Sequence, residues 1–564
     1  MQTEITSIII ILLATIILAI PLGKYIAKVY SGERTFADAI FGPVEKLFFR
    51  ISGIDVTLEM TWKQHLAALL TINIVWFFYG MFIFMNQGWL PLNPDGISSM
   101  SPDLAFNTTI SFITNTNLQH YAGETGVSYF GQLTLMLYQF ISAGAGMAMA
   151  AVLFHALREK TSHTLGNFYN YFIKSCTRIL LPLSLIVAVI LVFNGTPMTF
   201  AGKDSVTTLQ GDTIQVSRGP AAAMIAIKQI GTNGGGFFGV NSAHPFENPN
   251  AFTNAIETIS IPLISIALVF ALGYYLNRKK LAWMIFAVMT AGFLILLIPT
   301  IYFETAGNPA IASMGIDQSA GSMEGKEVRF GSAASALWAI VTTTTSNGSV
   351  NAMHDSLTPL SGMFTLIGMQ INAFYGGKGV GLLNFYVFII ITVFISGLMV
   401  GRTPEFLGKK IEVREMKIAM IVFLIHPLLI LAGTAMASYI VYMHPEYTWL
   451  NNPGYHGFSE MLYEYTSSSA NNGSGFEGLG DNTPWWNISC SIIILLSRFI
   501  PIIGPIAIAG ILAEKKYIPE SAGTLKADTA TFGVMTFAVI IILVALSFFT
   551  ALVLGPIAEY FSIA

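Results

Sequence analysis

The sequence predicts an all-α polytopic membrane protein: ten transmembrane helices, arranged as four helix–pore-loop–helix repeats in pseudo-fourfold fashion, plus one extra helix at each end. Three observations predict it. The 564 residues are 54% hydrophobic and only 10% charged, where a soluble domain carries about 25% charge, and the mean hydropathy is +0.64. A polar strip recurs four times, as Thr114-Asn-Thr-Asn117, Thr232-Asn-Gly-Gly235, Ser346-Asn-Gly-Ser349 and Asn471-Asn-Gly-Ser474, at spacings of 118, 114 and 125 residues. Lysines and arginines cluster after every second apolar segment of a repeat, as the positive-inside rule requires of cytoplasmic loops. A period this long marks duplication of a membrane unit around one shared axis rather than a solenoid.

The elements follow in order. Ser7 to Ala27 is a retained membrane helix, because Glu4 stands where a secretion signal has its basic leader and no small-residue cleavage pattern follows. Val29 to Lys63 carries Arg34, Lys46, Arg50 and Lys63, with Lys24 and Lys28 just before, which places it in the cytoplasm and the N-terminus outside. Trp62 to Phe84 spans, and Gln87 to Gly131, without lysine or arginine, is external. Within it, Ser101-Pro102-Asp103 opens a helix that ends at Ile113. At about 20 Å this helix is too short for a hydrocarbon core of about 30 Å, so it enters and turns back at Thr114. Leu133 to Leu157 spans to Arg158, Lys160, Lys174 and Arg178 inside.

The unit repeats three times. Ile179 to Phe193 spans, Pro220 to Ile230 is short, and Ile256 to Leu276 returns to Arg278-Lys-Lys280. Leu281 to Tyr302 spans, Ser332 to Thr345 is short, and Leu357 to Val400 returns to Arg402, Lys409, Lys410 and Arg414. Met416 to Tyr442 spans, Phe458 to Ser469 is short, and Trp485 to Ala513 returns to Lys515-Lys516; Phe532 to Leu554 then ends the chain outside. The units are 1–61 (first helix and cytoplasmic loop), 62–160, 161–277, 278–414 and 415–516 (the four pore repeats) and 517–564 (last helix). Lys203, Arg218, Lys228, Lys326 and Arg329 are external exceptions to the charge rule.

Irregular backbone at membrane depth is tolerated only where it is buried in protein or lines a cavity. Glycines let carbonyls approach one centre, the short helices aim their negative C-terminal ends at it, and such carbonyls can replace a cation's hydration shell. No strip contains a carboxylate, the partner a divalent ion usually recruits, so dehydrated potassium fits better. One such Gly/Asn/Thr cluster reads as an external turn; four, each after a helix too short to span, do not.

Longer motifs surround the strips: Thr114-Asn-Thr-Asn-Leu-Gln-His-Tyr121, Thr232 to Phe238 with Asn241-Ser-Ala-His-Pro-Phe-Glu-Asn-Pro249, Gly401-Arg-Thr-Pro-Glu405 with Gly408-Lys-Lys-Ile411, Asn452-Pro-Gly454 with His456-Gly-Phe-Ser-Glu460, and Gly555-Pro-Ile-Ala-Glu-Tyr560. Over essentially its whole length the chain resembles the A-subunit family of Kdp-type potassium-transporting ATPases, within the superfamily of potassium transporters. The resemblance implies that the strips form a potassium filter and that a P-type ATPase subunit supplies the energy. It also implies two small accessory membrane subunits, and potassium leaving sideways through a tunnel into the ATPase subunit. Carried over by position, the filter comprises Thr114, Asn115, Thr116, Asn117, Thr232, Asn233, Gly234, Gly235, Ser346, Asn347, Gly348, Ser349, Asn471, Asn472, Gly473 and Ser474, with Gln119 just outside. Thr116 stands where the other strips have glycine, so fourfold symmetry is broken. Gly376-Gly-Lys-Gly-Val-Gly381 interrupts the third returning segment, where the family has a pore-blocking loop. Gly376, Gly377, Gly379, Gly381 and Lys378 are gate candidates, with a snorkelling or lining role for Lys378 equally open.

No phosphate loop, phosphorylatable Asp-Lys-Thr-Gly-Thr or helical zinc pattern is present in the sequence. The energy, and with it the ATP site, is therefore expected elsewhere, while the resemblance implies potassium as the transported ion. Cys176 and Cys490 have no metal-ligand spacing, and His120 and His244 have no carboxylate at catalytic spacing. A net charge of −3 without a basic cluster excludes nucleic acid as a partner. Three classes compete: the ion-binding subunit of an ATP-driven uptake pump in the bacterial plasma membrane, a self-sufficient potassium channel or transporter of the same superfamily, and a polytopic membrane enzyme. The last predicts a catalytic cluster that the sequence lacks. Glu124, Glu247, Asp355 and Glu477 each follow a strip within 15 residues of its first member and are candidates for an acidic mouth. Arg498, far from both ends of its helix, either lies beside the path below the filter or forms an ion pair with another helix.

Overall fold

Helix lengths follow the apolar runs. The structure, a computed structural model, describes residues 2–401, 403–519 and 526–563; Arg402, placed inside by the charge rule, lies outside them. Ten helices among the described residues are long and apolar enough to cross a membrane. In chain order the framework is α1 (Gln2–Ser31), α2 (Ala37–Ile51), α3 (Trp62–Asn86), α4 (Pro102–Ile113), α5 (Tyr129–Arg158), α6 (Phe168–Phe193), α7 (Ala221–Ile230), α8 (Ala251–Tyr275), α9 (Lys279–Ala306) and α10 (Gly331–Thr344). It continues with α11 (Pro359–Ile371), α12 (Val380–Val400), α13 (Val413–Met443), α14 (Tyr455–Ala470), α15 (Pro484–Glu514) and α16 (Ala530–Ile563).

Local chemistry fixes the helix starts. Thr61 and Gln64 form a reciprocal cap on α3, and Asn250 and Thr253 do the same on α8. Pro102 and Pro484 open α4 and α15, positions where the missing N–H is not needed. A π-turn at Ser175–Leu180 carries Arg178 inside α6, where it donates to Asp38 and Glu45 at 2.8 Å and fastens α2. The free side of α2 exposes Ile40, Val44, Leu47 and Ile51, so the basic loop of the sequence analysis contains an amphipathic helix.

The four short helices α4, α7, α10 and α14 pack in a cycle. Each touches the returning helix of the repeat before it: α7 on α5, α10 on α8, α14 on α11, and α4 on α15. That closure places all four C-termini around one centre. Four of the five basic exceptions are paired with acids: Arg218 with Asp204 at 2.8 Å, Lys326 with Glu304 at 2.7 Å, Lys228 with Glu247, and Arg329 with Glu327. Lys228 and Lys326 are fully buried, which requires such partners.

The third returning segment is two helices rather than one. Asn372 ends α11 in the left-handed region at φ 46°, and Gly379 at φ 87° precedes α12. The glycine run between them is a buried loop.

Candidate functional site

Each short helix ends the same way. A residue in the left-handed region follows its last turn: Asn115 (φ 62°), Thr232 (46°), Ser346 (52°) and Asn471 (52°). The next N–H reaches five residues back: Thr116 to Ser111, Asn233 to Lys228, Asn347 to Thr342, and Asn472 to Ser467, at 2.9–3.0 Å. This is the hydrogen bond of a Schellman ending. It aligns Asn115 with Thr232, one place later than the sequence motif suggests. Asn117, not Thr116, is thus the counterpart of Gly234, Gly348 and Gly473. Thr114 belongs to the helix end, its hydroxyl donating to Ile110 at 2.7 Å.

The strips lie edge to edge. A side chain on Gly234 would strike the Asn347 carbonyl, one on Gly348 the Asn472 carbonyl, and one on Gly473 the Thr116 carbonyl. These glycines have φ of 93°, 85° and 101°, so two separate reasons exclude other residues. At the fourth seam the Asn117 Cβ lies 3.0 Å from where a Gly235 side chain would begin. The strip residues are buried, with Gly473 half-buried. Side-chain amides brace the strips from behind: Asn115 Nδ2 donates to the Thr232 carbonyl at 2.7 Å, Asn471 Nδ2 to Thr116 Oγ1 at 3.0 Å, and Asn472 Nδ2 to the Thr342 carbonyl at 2.8 Å. Asn347 Nδ2 donates to Gln229 Oε1 at 3.3 Å. The hydroxyls of Ser349 and Ser474 are held in the same supporting network, by Gln229 and Tyr463.

Among the described residues no donor reaches the carbonyls of Thr116, Asn233, Asn347 or Asn472. Buried main-chain acceptors normally have partners, so four free ones at one level of the strips constitute an electronegative ring. The Gly234 carbonyl, expected from the sequence as a close ion ligand, accepts from Asn241 Nδ2 at 2.6 Å. Gln119 clamps Gly236, accepting from its N–H at 2.8 Å and donating to its carbonyl at 3.2 Å.

Beneath the strips, Ser142 Oγ lies 3.0 Å from Asn115 Oδ1 and 3.1 Å from Asn233 Oδ1, while its carbonyl accepts from Arg498 at 3.3 Å. The glycine loop lies beside them. A side chain on Gly146 of α5 would meet the Lys378 carbonyl and lie 3.4 Å from the Arg498 guanidinium, and one on Gly377 would lie 3.8 Å from Ser346 Cβ. Lys378 Nζ donates to the Ile261 carbonyl at 2.7 Å. Arg498 forms no ion pair among the described residues, so the ion-pair alternative does not hold there.

Sequence reasoning missed Ser142, Gln229 and Asn241 as supports. Ser142 sits in an apolar helix with no polar pattern, whereas Asn241 was visible within its motif. The acidic mouth is smaller than expected. Glu247 is fully buried on Lys228, and Asp355 is 7% exposed and 2.9 Å from His456. Glu124 is half-buried and Glu477 exposed.

Comparison with known proteins settles the family. The model for the potassium-transporting ATPase A subunit matches residues 9–561. The chain belongs to that family. It is 67% identical to a potassium-transporting ATPase potassium-binding subunit of Flavobacterium johnsoniae over the whole of both chains. It is 59% identical to the Parabacteroides distasonis subunit of the same name, covering all of both chains, and 48% identical to that of Geobacillus kaustophilus, covering 98% of each. The fold is similar to that of the potassium transporter TrkH from Vibrio parahaemolyticus, with a TM-score of 0.52 at 14% identity, covering 89% of this chain and 98% of that one. This A-subunit chain is a multi-pass membrane protein of the potassium-transport machinery.

Proposed function

We propose that the chain binds extracellular potassium in a filter made by the four strips and passes it to a P-type ATPase subunit of the same complex. The observation that carries this reading is the ring of donor-free carbonyls at Thr116, Asn233, Asn347 and Asn472. Such a ring suits a dehydrated monovalent cation. The names of the curated relatives favour a pump subunit over a self-sufficient channel. In this reading two small accessory subunits complete the complex, ATP is hydrolysed outside this chain, and both termini face the exterior of a bacterial plasma membrane. The four repeats 62–160, 161–277, 278–414 and 415–516 surround one pore.

The glycine loop and Arg498 close the lower end. A buried guanidinium beside the path repels potassium from a straight run to the cytoplasm. A cavity lined by Asn372, Asn384, His426, Ser469 and Ser497 offers a sideways exit into an intramembrane tunnel. Potassium-stimulated ATP hydrolysis and rubidium uptake by the assembled complex test this. Gly234→Asp drives a carboxylate against the Asn347 carbonyl of the neutral ring, lowering apparent potassium affinity and relaxing discrimination among monovalent ions. Arg498→Met leaves assembly intact but gives ion leak or weakened coupling. Unchanged affinity and selectivity in the first variant, or tight coupling in the second, overturns the respective role.

A further inference from the structure

Outside the ring, three parts of the chain bring chemically distinct donors together: His120 just past the first strip, Glu464 in α14, and Asp481 and Cys490 around the start of α15. His120 Nε2 lies 3.2 Å from Glu464 Oε1 and 4.0 Å from Asp481 Oδ2, and Cys490 Sγ lies 3.5 Å from the same Glu464 oxygen. The ligand atoms of His120, Glu464 and Cys490 all fall within 4.8 Å of one another. The side chains of His120 and Glu464 are 0% and 2% exposed and Cys490 is 0% exposed, while the side chain of Asp481, at 31%, opens the cluster to solvent.

The hydrogen-bond chain behind His120 fixes the role of its Nδ1. Asn487 Nδ2 donates to Asp103 Oδ2 at 2.7 Å, and a carboxylate can only accept. Asn487 Oδ1 therefore faces His120 Nδ1, 2.7 Å away, and that nitrogen carries the hydrogen. Nε2 faces the carboxylates of Glu464 and Asp481, so the space between them holds a cation, either a proton on Nε2 or a metal ion in its place. Metal-binding histidines are commonly oriented in this way, their second nitrogen donating to a fixed oxygen.

We propose that His120, Glu464, Cys490 and Asp481 form a binding site for a borderline-soft divalent cation of the zinc type. The site staples the end of the first strip to α14 and α15. Tetrahedral zinc with bonds of about 2.0–2.3 Å separates nitrogen from oxygen ligands by about 3.3 Å and sulfur from oxygen by about 3.5 Å, close to the His120–Glu464 and Cys490–Glu464 spacings of 3.2 and 3.5 Å, while Asp481, 4.0 Å from His120, has to close in on the metal. One imidazole, one thiolate and carboxylates are a mixed set that zinc accepts. Potassium does not favour thiolate or imidazole, so this is not a second transport site. Binding releases the thiol proton of Cys490 to solvent and involves no redox change.

The test uses the assembled complex, stripped with chelator, dialysed and equilibrated first with zinc and then with cobalt(II). Elemental analysis is expected to find about one zinc per chain, and cobalt to show thiolate-to-metal charge-transfer absorption. Cys490→Ser abolishes the absorption, Cys176→Ser leaves it intact, and Asp481→Asn weakens binding about tenfold. Zinc no higher than in Cys490→Ser would mean that a proton alone holds the His120–Glu464 pair, and the proposal fails. An absorption that disappears in Cys176→Ser instead also overturns it. Should Cys490→Ser not assemble, Asp481→Asn, at a partly exposed position, supplies the same decision. Metal content is read independently of transport, so failure here leaves the filter untouched.

Discussion

The first strip and the other three achieve one backbone path with different residues. Strips two to four turn at Gly234, Gly348 and Gly473, where any side chain meets the carbonyl of the next strip. The first turns at Asn117, φ 56°, and buries an amide whose oxygen and nitrogen have no partner. Asparagine tolerates that backbone region better than most residues. The pseudo-fourfold symmetry is therefore a symmetry of carbonyls and helix ends. Steric demand is high at three seams and relaxed at the fourth.

The supports differ as much as the seams. The residue whose carbonyl receives the Schellman hydrogen bond is Ser111, Thr342 or Ser467 in three repeats, but Lys228 in the second. Its ammonium donates to Asn241 Oδ1 at 2.8 Å and Ser242 Oγ at 2.7 Å and pairs with Glu247. The largest expected effect in the molecule is at this point. Lys228→Met leaves Glu247 buried and unpaired and costs about 3–5 kcal/mol, read as lost thermal stability of the purified complex. Ser111→Ala, at the equivalent place in the first repeat, loses only the bond to the Leu118 carbonyl, about 1 kcal/mol. Equal losses in the two variants would mean that the charge network does not set the second repeat apart.

The next effect is steric. Gly348→Ala forces a left-handed backbone on alanine, costing about 1–3 kcal/mol, and drives a methyl group into the Asn472 carbonyl. Apparent potassium affinity is expected to fall at least about tenfold, a change worth about 1.4 kcal/mol. Asn117→Gly makes all four seams glycine. It removes a buried amide without partners, so stability shifts by no more than about 1 kcal/mol. If the Asn117 amide faces the ion, discrimination of potassium against sodium in uptake drops; if the amide is inert, discrimination stays the same. Either result sharpens the difference between the seams.

The strips, short helices and spans were legible because each rests on a local signal: apolar length, a Ser-Pro-Asp start, a glycine. Spans such as α3 and α15 begin within a residue of the expected positions. The register of the first strip was not legible, since Thr114-Asn-Thr-Asn117 aligns by residue type with its first threonine, whereas the helix ends one residue later. Nor was the pairing of Lys228 or the surroundings of His120. Glu464 lies 344 residues from His120, and only the closure of the fourth repeat on the first brings them together. Two acids expected at the mouth were misplaced for the same reason: Glu247 and Asp355 find partners that only folding supplies.

The smallest effect separates two neighbouring glycines in the loop beneath the strips. Gly379, at φ 87°, lies against the Gly146 carbonyl of α5 with no room for a methyl group. Gly377 has no left-handed backbone, and a methyl group there meets only Ser346 Cβ at an ordinary 3.8 Å. Gly379→Ala must therefore push the loop off α5 and disturb both Lys378 and the approach of Arg498. Gly377→Ala keeps every contact and narrows the conformations open to the unfolded chain, stabilising the protein by about 0.4–1 kcal/mol. A loop that acts as a gate has to move, and alanine restricts that movement. Gly377→Ala is then expected to slow potassium uptake about twofold, within the range of that stabilisation, without altering apparent potassium affinity. Gly379→Ala is expected to raise ion leak. Unaltered uptake and leak in both variants would make the loop a static floor, and the contrast between the glycines would be one of packing alone.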